Sequence, residues 1–151
     1  MTARISTLKW SLALWLVAIA SSLTAASATA GEVKFEAILV WGTNDDKSPD
    51  PSHKPVSEAM AKRLRDFKWT HYFEVARKEI AIAKDQKRVQ MSKDCTITIK
   101  LLDKDQVEVT LIGKGKTVGT IKKVLKKDAC LVTGGNASNS TGWFVVIKRV
   151  E

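Results

Sequence analysis

Gly113-Lys114-Gly115-Lys116-Thr117 is the first place in this 151-residue chain where residue types suggest a chemistry. Gly-Lys-Thr closes the phosphate-cradling P-loop, but that loop also needs a glycine five positions before Gly115 and a helix after it. The chain has Thr110 at the first position and an alternating apolar run after the second. The stretch therefore reads as a hairpin turn whose glycines supply positive φ, not as a nucleotide site. Asn44, Asp45, Asp46 and Asp50 gather oxygen ligands that a hard cation such as calcium could use. They lack EF-hand spacing, and Asp and Asn are ordinary turn residues, so no metal is expected there. His53 and His71 form no H-x-x-x-H pair, and each is expected to be structural or exposed. No G-x-S-x-G is present. Sixteen acidic residues make some carboxylate pair unavoidable, so a glycosidase dyad has no signal above background. These residues nominate no catalytic group and no cofactor.

Two cysteines, Cys95 and Cys130, remain to be placed. A redox-active pair would have C-x-x-C spacing at a helix start, which is absent. In an oxidising compartment the natural expectation is a disulfide between them, stabilising the fold by about 3–4 kcal/mol in the chain-entropy model. The compartment is suggested by the N-terminus. Residues 1–9 carry Arg4 and Lys9 and no acid, Trp10 to Ala20 are mostly apolar, and a small uncharged stretch ends in Ala28-Thr29-Ala30 before Gly31. That is the layout of a signal peptide, with cleavage expected between Ala30 and Gly31 and a second fitting cut after Ala28. The alternative, an uncleaved anchor, is disfavoured by Ser and Thr in the second half of the segment, and no later run has spanning length. Periplasmic or secreted localisation follows as an expectation.

Aromatic residues are more suggestive of a surface than of a reaction. Trp41, Trp69, Tyr72 and Trp143, if exposed together beside lysines, would form a platform for a sugar, a peptide or a partner protein. The competing expectation is that such residues fill the core of a small domain. Asn136-Ala137-Ser138 and Asn139-Ser140-Thr141 fit the N-glycosylation pattern, relevant only in a eukaryotic source.

The elements that must position these residues follow from periodicity. Residues 31–151 form one domain on length, with 23 basic and 16 acidic side chains. Val33 to Trp41 reads as a strand whose later positions are apolar on both faces, followed by a loop, Gly42 to Pro55, that holds every proline. Val56, Met60, Leu64 and Phe67 lie at helical spacing behind a Ser57 cap, which predicts one amphipathic helix over 57–67. Period-two runs then follow at 72–76, 79–83, 87–92, 96–101 and 106–111, with further strands at 117–124, 129–133 and 143–150. The short breaks Lys84-Asp85-Gln86, Asp103-Lys104-Asp105 and Gly113-Lys114-Gly115 suit hairpins. The expected fold is α+β: an antiparallel β-meander sheet with one amphipathic helix packed on one face.

Leu39-Val40-Trp41-Gly42-Thr43, Phe67-Lys68-Trp69 with Tyr72-Phe73, and Gly142-Trp143-Phe144-Val145-Val146 resemble a group of uncharacterised small exported bacterial proteins. The resemblance implies a bacterial envelope location and attaches no activity. The expected function is a non-catalytic binding or interaction module of the cell envelope, directed at a protein or another envelope component. A basic module binding an acidic polymer or anionic headgroups is the first alternative, although the lysines look scattered along the chain rather than gathered in one stripe. A small hydrolase with an unrecognised site is the second. No nucleic-acid-binding motif occurs.

Overall fold

The computed structural model describes residues 31–103, 105–137 and 139–151. The expected signal segment, including Ala30 of the expected cleavage site, lies outside the described residues. Two antiparallel sheets dominate. The first is built around β1 (Val33–Thr43), which pairs with β3 (His71–Ile82) on one side and β9 (Gly142–Arg149) on the other. The two-residue β2 (Lys54–Pro55) and β8 (Cys130–Asn136) close its edges, giving the order β2-β3-β1-β9-β8. The second is a four-stranded meander, β4 (Gln86–Gln90), β5 (Cys95–Leu101), β6 (Gln106–Gly113) and β7 (Lys116–Val124). The one short helix among the described residues, α1 (Glu58–Leu64), starts where Ser57 Oγ accepts the Met60 amide at 3.3 Å.

The antiparallel pairing and the single helix match expectation, but the architecture is mainly β and has two sheets, not one. Its cause lies in β1, whose two faces are both apolar. Phe35, Ala37 and Leu39 point into a core shared with Ile97 and Ile99 of β5 and Val107, Val109 and Leu111 of β6. Ile38 and Val40 point the other way, into a second cluster capped by Leu64 of α1. One sheet therefore needs two covers: the helix on its outer side and the meander on its inner side.

The meander separates from the first sheet at a corner that reads in sequence like another hairpin. Residues 72–76 and 79–83 merge into the twelve-residue β3, and the break after it is not a hairpin. Asp85, at φ 51°, turns the chain so that β4 pairs with β5 instead of with β3. Leu101 N donates to Asp85 O at 2.7 Å and holds the corner against β5. The Gly113–Lys116 turn is a true hairpin, with Lys114 and Gly115 both at positive φ as a type I′ turn requires. The proline-rich segment is not wholly loop either. Lys54-Pro55 adds to the outer edge of β3, where a residue without an amide proton is tolerated.

The expected Cys95–Cys130 bridge is not formed, and both residues are free thiols. Alternation along the strands accounts for this. Leu131 faces the inter-sheet core, so its neighbour Cys130 falls on the helix side, beside Arg63 Nη1 at 2.8 Å. Cys95 is buried in the inter-sheet core, with the five-stranded sheet between the two sulfurs. A neutral alkylating reagent at pH 7 should therefore add one label to the native protein, at Cys130, and two in denaturant without reductant. Mass spectrometry that finds no label in either condition would restore the bridge.

Candidate functional site

Strand alternation sorts the four candidate aromatics onto opposite faces of one sheet. Trp41 on β1 and Trp143 on β9 are cross-strand partners, and both lie on the inter-sheet face. Trp69 and Tyr72 belong to the helix-side cluster and are buried. The assignment depends on a bulge: Leu39 pairs with Ala76 and Val40 with Glu74, so Val75 is an extra residue in β3. Without it, Tyr72 would point to the other face. The expected single platform is thus two separate pairs.

Trp69 and Tyr72 do structural work. The Tyr72 hydroxyl donates to Leu64 O at 2.8 Å, closing the last turn of α1, and burial pushes its phenol above the ordinary value. Lys68 Nζ sits 5.0 Å from the Trp69 ring centroid. A shallow depression of about 420 Å³ lies beside Phe67, Trp69 and Phe144.

Trp41 and Trp143 instead line a cleft of about 750 Å³, where the two sheets part at one end. Its walls come from segments far apart in sequence: His53 from the proline-rich loop, Asp94 and Cys95 from the start of β5, Lys114 and Val118 from the β6–β7 hairpin, and Asn136 and Asn139 from the β8–β9 connection. Gly113 and Gly135 lie beside the Trp143 ring, where a Cβ would make ordinary contact at 3.7 and 3.9 Å, and a Cβ on Gly113 would crowd Val118 at 3.0 Å. The volume falls in the range of small-molecule sites, and the lining is apolar with a few polar groups, as such sites are.

Some polar groups at the rim are already oriented. His53 Nδ1 is 2.7 Å from Ser48 Oγ, and Asn139 Oδ1 accepts the Thr141 hydroxyl at 2.5 Å. Trp41 Nε1 is a buried donor with no hydrogen-bond partner among the described residues. An unpaired buried N–H costs about 1–3 kcal/mol, and with almost no accessible surface this one is out of reach of a ligand in the cleft. Cys95 shares the lining. Burial pushes its thiol up to about 11, the reverse of what an activated cysteine needs.

No family model, curated protein or solved structure matches the chain. The site therefore has to be read from its own geometry. Among the described residues no group of three His, Cys, Asp or Glu side chains converges to hold a metal. The acidic loop spends its oxygens locally: Asn44 Oδ1 accepts from Thr70, and Asp50 Oδ1 accepts the Ser52 amide and hydroxyl. That second contact, with His53 nearby, holds the Asp50 carboxyl below its ordinary value. Sequence reasoning singled out Trp41 and Trp143, read Asn136 and Asn139 only as matches to the glycosylation pattern and His53 as structural or exposed, and could not join them, because no spacing rule links positions 53, 114 and 139.

Proposed function

We propose that the protein is an exported, non-catalytic binding module of the cell envelope, and that the inter-sheet cleft takes a single sugar unit. The observation that carries the reading is the cross-strand pair of indole residues, Trp41 and Trp143, lining one cleft with His53, Asn136 and Asn139. A sugar offers acceptor oxygens on its rim and a C–H face that packs on indole rings, here those of Trp41 and Trp143. Asn136 and Asn139 supply side-chain amides, which both donate and accept, as a polyhydroxylated ligand requires.

The test is Trp41→Phe. It keeps a ring on the wall but removes the N–H and part of the indole's stacking area, and the lost packing, partly offset by loss of an unpaired buried donor, should lower the unfolding free energy by no more than about 2 kcal/mol. In fluorescence titrations with hexoses, N-acetylhexosamines and their disaccharides, the variant should bind about five- to tenfold more weakly than the native protein. Saturable binding that the variant retains in full would remove Trp41 from the site. No saturation of the native protein by any sugar of the panel would end the saccharide reading.

A further inference from the structure

We infer a second binding surface, for an acidic polysaccharide, on the outer face and free edge of the four-stranded sheet. It rests on charge placement and stands whether or not the cleft binds a sugar. Residues 84–127, which build that sheet, hold twelve Lys and Arg against five Asp and Glu, whereas the rest of 31–151 holds eleven of each. The whole excess of positive charge in 31–151 therefore lies in the segment that builds the meander, with Arg88, Lys100 and Lys122 on its outer face and further lysines at its edge and turns. Lysines that look scattered along the sequence are gathered by the fold.

Ion pairs occur in both halves. In the five-stranded part Arg77 lies between Glu36 and Glu74 at 2.7 Å each, Lys34 pairs with Glu151 at 2.8 Å and Lys62 with Glu58 at 3.0 Å, and on the meander Lys122 pairs with Glu108 at 3.3 Å. On the meander, Lys116, Lys123 and Lys126 are exposed and make no ion pair with a described residue. Its outer face has no helix or strand packed on it among the described elements. The register puts Lys100 and Lys122 on either side of Glu108, and Thr98, Thr110 and Thr120 side by side in the neighbouring row.

Several features select the occupant. Two strand spacings separate Lys100 from Lys122 by about 10 Å, near the length of a disaccharide repeat in an extended chain. The threonine row offers hydroxyls for sugar hydroxyls. Residues 84–127 contain no Phe, Trp or Tyr, so the face lacks the stacking platforms that single-stranded nucleic acid uses and the aromatic belt of a membrane interface. Arg88 is the only arginine, so bidentate phosphate recognition is poorly served.

The probe is polygalacturonate, a polyuronate, compared with a single-stranded oligonucleotide and with vesicles containing phosphatidylglycerol. The native protein should bind the polyuronate best, losing roughly tenfold in affinity between about 50 and 200 mM salt. Neutralising Lys122, Lys123, Lys126 and Lys127 together to Gln should weaken binding at least about tenfold. The same number of changes at Lys47, Lys54, Lys62 and Lys78 should stay within about twofold, with equal thermal midpoints certifying both folds. Glu108→Gln, which removes the one acid between Lys100 and Lys122, should tighten binding about twofold. Trp41→Phe should change nothing here, which separates failure of this surface from failure of the cleft. Equal losses in the two lysine sets, or tighter binding of oligonucleotide or vesicles than of polyuronate, would overturn the inference.

Discussion

Gly142→Ala is expected to lower the unfolding free energy by about 2–3 kcal/mol, at the upper end for a one-carbon change in a packed core. Gly142 and Gly42 are cross-strand partners on β9 and β1, and the Trp69 ring lies across both. A Cβ on Gly42 would come within 2.6 Å of Trp69 Cδ1, and one on Gly142 would overlap Trp69 Nε1. The ring has nowhere to retreat, because it is itself 8 % exposed and enclosed by Leu64, Tyr72 and Phe144. Trp69→Ala alone should cost about 3–5 kcal/mol. If the glycine is small because the ring needs the space, Gly142→Ala in a Trp69→Ala background should cost less than about 0.5 kcal/mol. Urea titrations of the four proteins give the coupling directly. Additive losses would mean that Gly142 is required for some other reason.

That pair illustrates what sequence reasoning reaches here. Val33 to Trp41 announces itself as a strand with two apolar faces, and a two-faced strand already asks for covers on both sides. Ser57, Met60 and Leu64 announce the helix that supplies one cover. What supplies the other was hidden at Lys84-Asp85-Gln86, since a polar three-residue break looks alike whether the chain folds back or crosses to a new layer. The sorting of Trp41 from Tyr72 was equally illegible, because it depends on one bulged residue, Val75, opposite Leu39 and Val40. The same loss of face information made Cys95 and Cys130 look like partners. Charge was different. The excess of lysine over acid in 84–127 is present in the sequence as a regional count, and becomes a surface only once those residues are known to form one sheet.

Ile99→Ala is expected to destabilise the protein by about 3 kcal/mol, as much as the missing disulfide would have contributed. With no bond between Cys95 and Cys130, cohesion of the two sheets falls on the shared core and on few polar links. One such link is Arg149 of β9, whose Nη1 donates to Asp105 Oδ1 at 2.7 Å and to Leu125 O at 3.0 Å. Ile99 lies on a central strand of the meander, has no exposed surface, and is among the largest side chains in that core, so truncation leaves a void that a paired strand cannot close. Two probes divide the molecule conveniently. Residues 84–127 contain no aromatic residue, so from Gly31 onward tryptophan fluorescence reports the five-stranded part, through Trp69 on its helix side and through Trp41 and Trp143 at its contact with the meander, while far-UV circular dichroism reports both sheets. If the shared core makes one cooperative unit, both signals should shift to the same lower urea midpoint in Ile99→Ala, with m unchanged. A reductant should move neither midpoint in the native protein. Circular dichroism that falls before fluorescence would mean that the meander unfolds by itself, and that each sheet, not the interface between them, carries its own stability.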